Sequence, residues 1–161
     1  MGRYEISVEP GNWMELALRL GSALLLGAAI GWNRQKTHKA AGLRTHMLVS
    51  LGAAVFVLLP LQLNGTAGSE GLSRAVQGVA TGVGFLGAGE ILQITHKAGR
   101  RQEIRVTGLT SAASLWVTAA IGMAAGCGLW PLGTLATGLT WITLGLVKRL
   151  EDWSDRNPPK P

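Results

Sequence analysis

The sequence predicts an all-α polytopic membrane protein, a compact glycine-rich bundle of five transmembrane helices. Three observations predict it. Of 161 residues, 47% are hydrophobic and only 15% are charged, against roughly 25% charged in soluble domains. Apolar stretches of membrane-spanning length recur along the chain, separated by short polar or basic segments. Most of the 23 glycines lie inside those stretches. In a water-exposed helix each would cost about 1 kcal/mol relative to alanine. In lipid, glycine instead lets two helix backbones approach closely.

Residues 1–12 are short and polar, with Glu5, Glu9 and Pro10, and read as an exposed tail. The first span is Trp13–Trp32, 20 residues with tryptophan at both ends. That length matches a hydrocarbon core of about 30 Å, and the tryptophans suit the two interfaces. Glu15 and Arg19 interrupt it four residues apart, acid first, the favourable order for a helical ion pair. The loop 33–44 is basic. The second span is Leu43–Leu63, with Pro60 near its end. After a polar turn, 64–71, the third span is Leu72–Thr95, and 96–105 is again a basic loop. The fourth span, Leu109–Trp130, carries no charge; Thr110, Ser114 and Thr118 repeat every four residues on it and predict a polar stripe. Pro131 suits the first position of the fifth helix, Leu132–Val147. The transmembrane domain is thus 13–149, and 150–161 is a charged, proline-rich tail.

Counting basic residues orients the chain. The loops 33–44 and 96–105 and the tail after Val147 hold 12 of the 15 lysines and arginines. Positive-inside bias places them in the cytoplasm, and five spans then place the N-terminus outside. The net charge of +6 is explained by these loops, so no nucleic acid is expected as a partner. No cleavable signal peptide is expected, because an acidic N-terminus precedes the first span and no A-x-A-like site follows it.

The stretch Gly82-Val83-Gly84-Phe85-Leu86-Gly87-Ala88-Gly89-Glu90 organises the third span. Its Gly82-x-Gly84-x-x-Gly87 spacing matches the dinucleotide fingerprint. No strand precedes it, so the reading is a helix contact. Three GxxxG pairs, Gly27/Gly31, Gly78/Gly82 and Gly122/Gly126, offer contact surfaces, some of which must be used inside the fold. The face of Gly78, Gly82 and Gly89 is expected to meet the Ser111, Ser114 and Thr118 side of the fourth helix. The single cysteine, Cys127, allows no intrachain disulfide. His38, His46 and His96 lie on the cytoplasmic side at a spacing that matches no metal motif. No nucleophile–base set or phosphate loop stands out, so neither an enzyme nor a cofactor is expected.

Three blocks carry a family resemblance: residues 24–59, with Ala41-Gly42-Leu43-Arg44-Thr45-His46; residues 74–90, with Gly84 to Gly89; and residues 106–122, with Gly108 to Trp116. Together they resemble the membrane domain of the MgtC/SapB family of bacterial inner-membrane proteins. The resemblance implies a similar five-span layout and a role in growth at low magnesium or survival inside hosts. Some members resemble regulators of other membrane proteins more than transporters. The chain departs from the family at three places. The family's Gly-x-Glu-Arg reads Gly31-Trp32-Asn33-Arg34 here. The position after the glycine block is Glu90 rather than apolar. Many relatives carry a soluble C-terminal domain, and this sequence ends about a dozen residues after its last predicted helix, so regulation through such a domain is not expected.

Polar groups at membrane depth are functional candidates. They are Arg19, Asn33, Arg34, Arg44, Thr45, His46, Arg74, Gln77, Glu90 and Thr110, with the glycines Gly27, Gly31, Gly78, Gly82, Gly84, Gly87 and Gly89 as helix contacts. Arg19 and Arg74 either pair with the acid one turn earlier, Glu15 and Glu70, or join Gln77 in a cluster across two helices. Glu90 lies roughly 24 Å from Arg74 along the helix. Its expected partner is Arg44, with Arg34 and Arg105 as alternatives and a cation ligand as the competing role. The expected function is non-enzymatic: contact with the bilayer and with a second copy or another membrane protein. A transporter or channel for Mg²⁺ or another small solute is the alternative.

Overall fold

A computed structural model describes residues 12–63, 68–98 and 101–147; both tails lie outside them. The elements are α1 (Trp13–Lys36), α2 (Leu43–Leu63), α3 (Gly68–Glu90), β1 (Leu92–Ala98), β2 (Arg101–Thr107), α4 (Leu109–Gly126) and α5 (Trp130–Ile142), which runs into a π-helical turn, Thr143–Val147. Local chemistry fixes several boundaries. The Asn12 side chain accepts the Glu15 N–H at 3.2 Å and caps α1, meeting one of the four unpaired donors there. Pro131 stands in the first turn of α5, where a missing N–H costs nothing.

The third span is corrected. The helix ends at Glu90, and an antiparallel hairpin follows, with Leu92 opposite Thr107 and Ala98 opposite Arg101. Counting apolar length carried the helix on to Thr95. The alternating residues Leu92-Gln93-Ile94-Thr95 and Ile104-Arg105-Val106-Thr107 have the period of a strand.

Helices α1, α2 and α4 form the centre; α3 packs on α2 and α4, and α5 on α1 and α4. The interior is built from small residues: Ala23, Ala53, Ala54, Ala119 and Ala125 are buried. Large apolar side chains such as Leu25, Leu48, Phe56, Trp116 and Leu139 point outward. A soluble protein distributes them the other way; this arrangement suits a hydrocarbon solvent. Three helices, α1, α2 and α4, are long and apolar enough to cross a membrane.

Glycines set the closeness of the central helices. A Cβ on Gly27 would lie 2.8 Å from the His46 carbonyl oxygen, and one on Gly31 2.8 Å from Leu43 Cα. On the other side of α2, a Cβ on Gly122 would lie 2.7 Å from Ser50 Cα, and one on Gly126 2.8 Å from the Ala54 oxygen. The backbones of α1 and α4 therefore rest directly on α2.

The expected glycine face of α3 is also corrected. Gly78, Gly82, Gly84 and Gly89 have open space where a Cβ would be. Helix α3 turns Val79, Val83 and Gly87 inward instead, and a Cβ on Gly87 would meet Ala112 Cβ at 3.3 Å. The Ser111, Ser114 and Thr118 side of α4 is occupied by α1 and α2, as the hydrogen bonds below show.

Candidate functional site

Polar side chains tie α1, α2 and α4 together along the interior. The first helix supplies Arg34 because Gly27, Gly31 and Arg34 share one face (spacing four, then three). That face rests on α2, so Arg34 is only 3% exposed. Its Nη2 donates to Ser111 Oγ of α4 at 2.8 Å. On α2, His46 is fully buried. Its Nδ1 lies 2.8 Å from the Gly42 carbonyl oxygen. That oxygen can only accept, so Nδ1 carries a proton. The other ring nitrogen, Nε2, is 3.2 Å from Ser114 Oγ. One turn on, Ser50 Oγ donates to the Ala23 carbonyl of α1 at 2.7 Å. Ser114 and Thr118 donate back to Ser111 and Ser114 carbonyls, each at 2.8 Å, which meets their needs within α4.

Glu90 ends α3 beside this row. Arg34 and Glu90 attract each other without a direct ion pair. Among the described residues the ion pairs are Arg19–Glu15 and Arg74–Glu70. Glu90 Oε2 and Arg34 Nε are buried with no hydrogen-bond partner among the described residues. A glycine fixes the placement. Gly108 has φ 95°, and a Cβ on it would collide with the Glu90 carbonyl. Helix α4 can thus start against the end of α3, which sets Ser111 near Glu90.

The second polar end involves Arg19, which is buried. It pairs with Glu15 and donates from Nη1 to the Gly126 carbonyl of α4 at 2.9 Å. Gly128, with φ 74°, leaves room for its guanidinium, whose Nη2 would lie 3.2 Å from a Cβ there.

Several expected site residues sit elsewhere. Arg44 is exposed, lining a shallow surface pocket with Gln35 and Thr45, so the Arg44–Glu90 contact gives way to Arg34–Glu90. The reason is helical phase: two residues separate Arg44 from the buried His46, about 200° around α2. Arg74 and Gln77 are exposed and do not join Arg19; Arg74 Nη2 donates to Glu70 Oε1 at 2.6 Å. Thr110 is exposed, and Ser111 takes its place in the buried stripe. Asn33 and Thr45 are half-buried, and the Asn33 carbonyl accepts from the Thr37 hydroxyl at 3.1 Å. His38 is exposed and His46 buried; the side chain of His96 lies outside the described residues. Among those residues no three His, Cys, Asp or Glu groups gather as a metal site would require. Ser50 and Ser111 escaped the list of candidate site residues. Ser50 was signalled by its spacing of four from His46, and Ser111 by its place in the block Gly108 to Trp116.

The description of the MgtC family matches residues 20–153. Protein SrpB of Synechococcus elongatus is 51% identical over 149 residues, 91% of this chain and 82% of the relative. The "Putative magnesium transporter YhiD" of Escherichia coli K12 is 41% identical, over 84% of this chain and 62% of its own length. Protein MgtC of Brucella abortus is 40% identical, over 73% of this chain and 45% of its own length. The chain thus covers less than two thirds of YhiD and of MgtC. No solved structure matches it.

Proposed function

The chain belongs to the MgtC family of membrane proteins, and on that premise we propose that it works in magnesium or stress adaptation without catalysing a reaction, by contact with membrane-embedded helices. It is a multi-pass protein of the bacterial inner membrane, with five spans, the N-terminus outside and the C-terminus in the cytoplasm. Helix α3 has 23 residues, about 34 Å at 1.5 Å each. Helix α5 with its π-helical turn covers residues 130–147, about 27 Å by the same rise. Both suit a core of about 30 Å.

One observation carries the reading. The central helices touch backbone to backbone at Gly27, Gly31, Gly122 and Gly126, while the groove between α2 and α3 is lined by Val, Leu, Phe, Ala and Gly. A divalent cation needs several oxygen ligands to replace its water, and such a groove offers none. The interior polar groups serve to join helices, and α3 keeps a free face for a partner.

A transport role has its own support in the unpartnered Glu90 Oε2 and in the printed name of YhiD. Proteoliposomes holding only the purified chain decide between them. The helix-contact reading expects Mg²⁺ flux equal to that of empty vesicles. Flux that depends on the protein and vanishes in Glu90→Gln establishes transport.

A further inference from the structure

The free face of α3 has an unusual make-up for a helix in lipid. At 100° per residue, Glu70, Arg74, Gln77, Gly78, Thr81 and Phe85 fall within about 100° of one another, opposite the buried Val79 and Val83. Each polar member is exposed. The Arg74 and Glu70 side chains are 77% and 75% exposed, and Phe85 is 84% exposed. Gly78 and Gly82 leave open space. Beside them runs the apolar groove of about 600 Å³ between α2 and α3, bounded by Leu48, Phe56, Ala75 and Leu86. Exposed charge, an amide and bare backbone on a spanning helix are the groups that lipid solvates worst.

We infer that this face is covered by a second copy of the same chain, in a two-fold dimer built on paired α3 helices. The inference rests on the five-span reading, because it requires α3 to cross the bilayer. The choice of occupant follows from self-complementarity. Copies inserted in one membrane share one orientation, so a two-fold axis along its normal brings each residue of α3 to its own depth in the partner. Glu70 and Arg74 stand one turn apart on one face, so the long Arg74 side chain of each chain reaches one turn along the axis to Glu70 of the partner subunit, and four charges close a ring. Gly78, at the edge of the same face, has open space around it and lets the helices approach closely. Acid and base occur once each on this face, on either side of its centre, which suits an isologous contact.

The test uses the full chain in its native membrane, with Cys127 replaced by serine and single cysteines at Gly78, Thr81 or Phe85. Oxidation, or a short bismaleimide, is expected to give a band of twice the chain mass at these positions and none at Leu135 or Leu139 on α5. A second arm separates the dimer from a folding effect. Glu70→Lys and Arg74→Glu, each expressed alone with the Thr81 cysteine, lose the band. Co-expressed, they regain it, because one chain then carries two positive and the other two negative groups at the ring. Monomer alone at all three positions, equal bands on α3 and α5, an adduct of another mass, or no recovery on co-expression overturns the inference. The five-span reading has its separate labelling test, so a chain with the proposed topology and no α3 band loses the dimer alone.

Discussion

Arg34 and Glu90 show how much one residue's phase decides. Arg34, Arg44 and Arg105 all stand near Glu90's end of the spans in the sequence, and a planar guanidinium suits a carboxylate in each case. Depth is read from position along the chain. Facing is read from the glycines, because Gly27 and Gly31 carry Arg34 onto α2, whereas His46 turns Arg44 outward. The residue before Arg34 is Asn33, so α1 offers no acid beside it, and Glu90 supplies a negative charge from α3. This predicts coupling between Arg34 and Glu90. In a double-mutant cycle with Arg34→Gln and Glu90→Gln, measured by thermal unfolding in detergent, the two changes should couple by about 1 kcal/mol. The cycle of Arg44→Gln with Glu90→Gln should be additive; coupling there and none at Arg34 reverses the assignment. Ser111→Ala tests the other contact of the same guanidinium. Losing an interhelical hydrogen bond in a membrane protein costs about 0.6 kcal/mol on average, and a buried arginine left short of an acceptor should push the loss above that.

Among the elements, the helices α1, α2 and α4 were legible from length, tryptophan placement and small-residue spacing, and the structure keeps them within a few residues. The third helix was not legible to the same degree. Apolar content alone cannot separate the end of a helix from a short strand, so Ile94 and Thr95 were absorbed into a span that stops at Glu90. Nor can a GxxxG pair announce whether it faces its own bundle or the outside. Gly27/Gly31 and Gly122/Gly126 meet α2, while Gly78/Gly82 meets open space, and the three pairs look alike in sequence. Substitution distinguishes them. Gly122→Ala forces a methyl against the Ser50 backbone, and overpacking of this kind costs typically about 1–3 kcal/mol; its melting temperature in detergent should fall clearly. Gly82→Ala should leave that temperature unchanged. Equal losses in the two variants mean that α3 packs inside its own bundle through its glycines. At the α3–α4 junction, Gly108→Ala meets both a positive φ and the Glu90 carbonyl, and strain there costs about 1–3 kcal/mol.

For the whole molecule, the physical question is which solvent surrounds it, and the distribution of side-chain size answers it. Most large apolar groups lie outside, and the interior, beside Ile30, Leu115 and Ile121, is mainly alanine and glycine, so the bilayer is part of the fold's energetics. Charge then sets direction. Residues 33–44 contain four basic groups and cover the end of α1, the 37–42 connection and the start of α2. Residues 96–105 contain four more; β1 and β2 hold Lys97, Arg101 and Arg105, on the same side as the α1–α2 connection provided that α2 and α3 both cross. Among the described residues three helices, α1, α2 and α4, meet the length and hydropathy expected of a span. The topology therefore turns on α3, whose charges and glycines lower its hydropathy, and on α5, whose α-helical part has 13 residues. If α3 lay on the surface instead, Ser69 and Lys97 would share one side of the membrane. Single cysteines at Lys36, Ser69 and Lys97, with Cys127 replaced, resolve this in intact cells treated with an impermeant thiol reagent. Lys36 and Lys97 should stay unlabelled until the membrane is opened, and Ser69 should react at once. Labelling of both Ser69 and Lys97 in intact cells means that α3 does not cross. A mutual exchange, with Lys36 and Lys97 reactive and Ser69 shielded, means that α2 and α3 both cross and that the basic loops face outward, against the charge bias that orients membrane proteins.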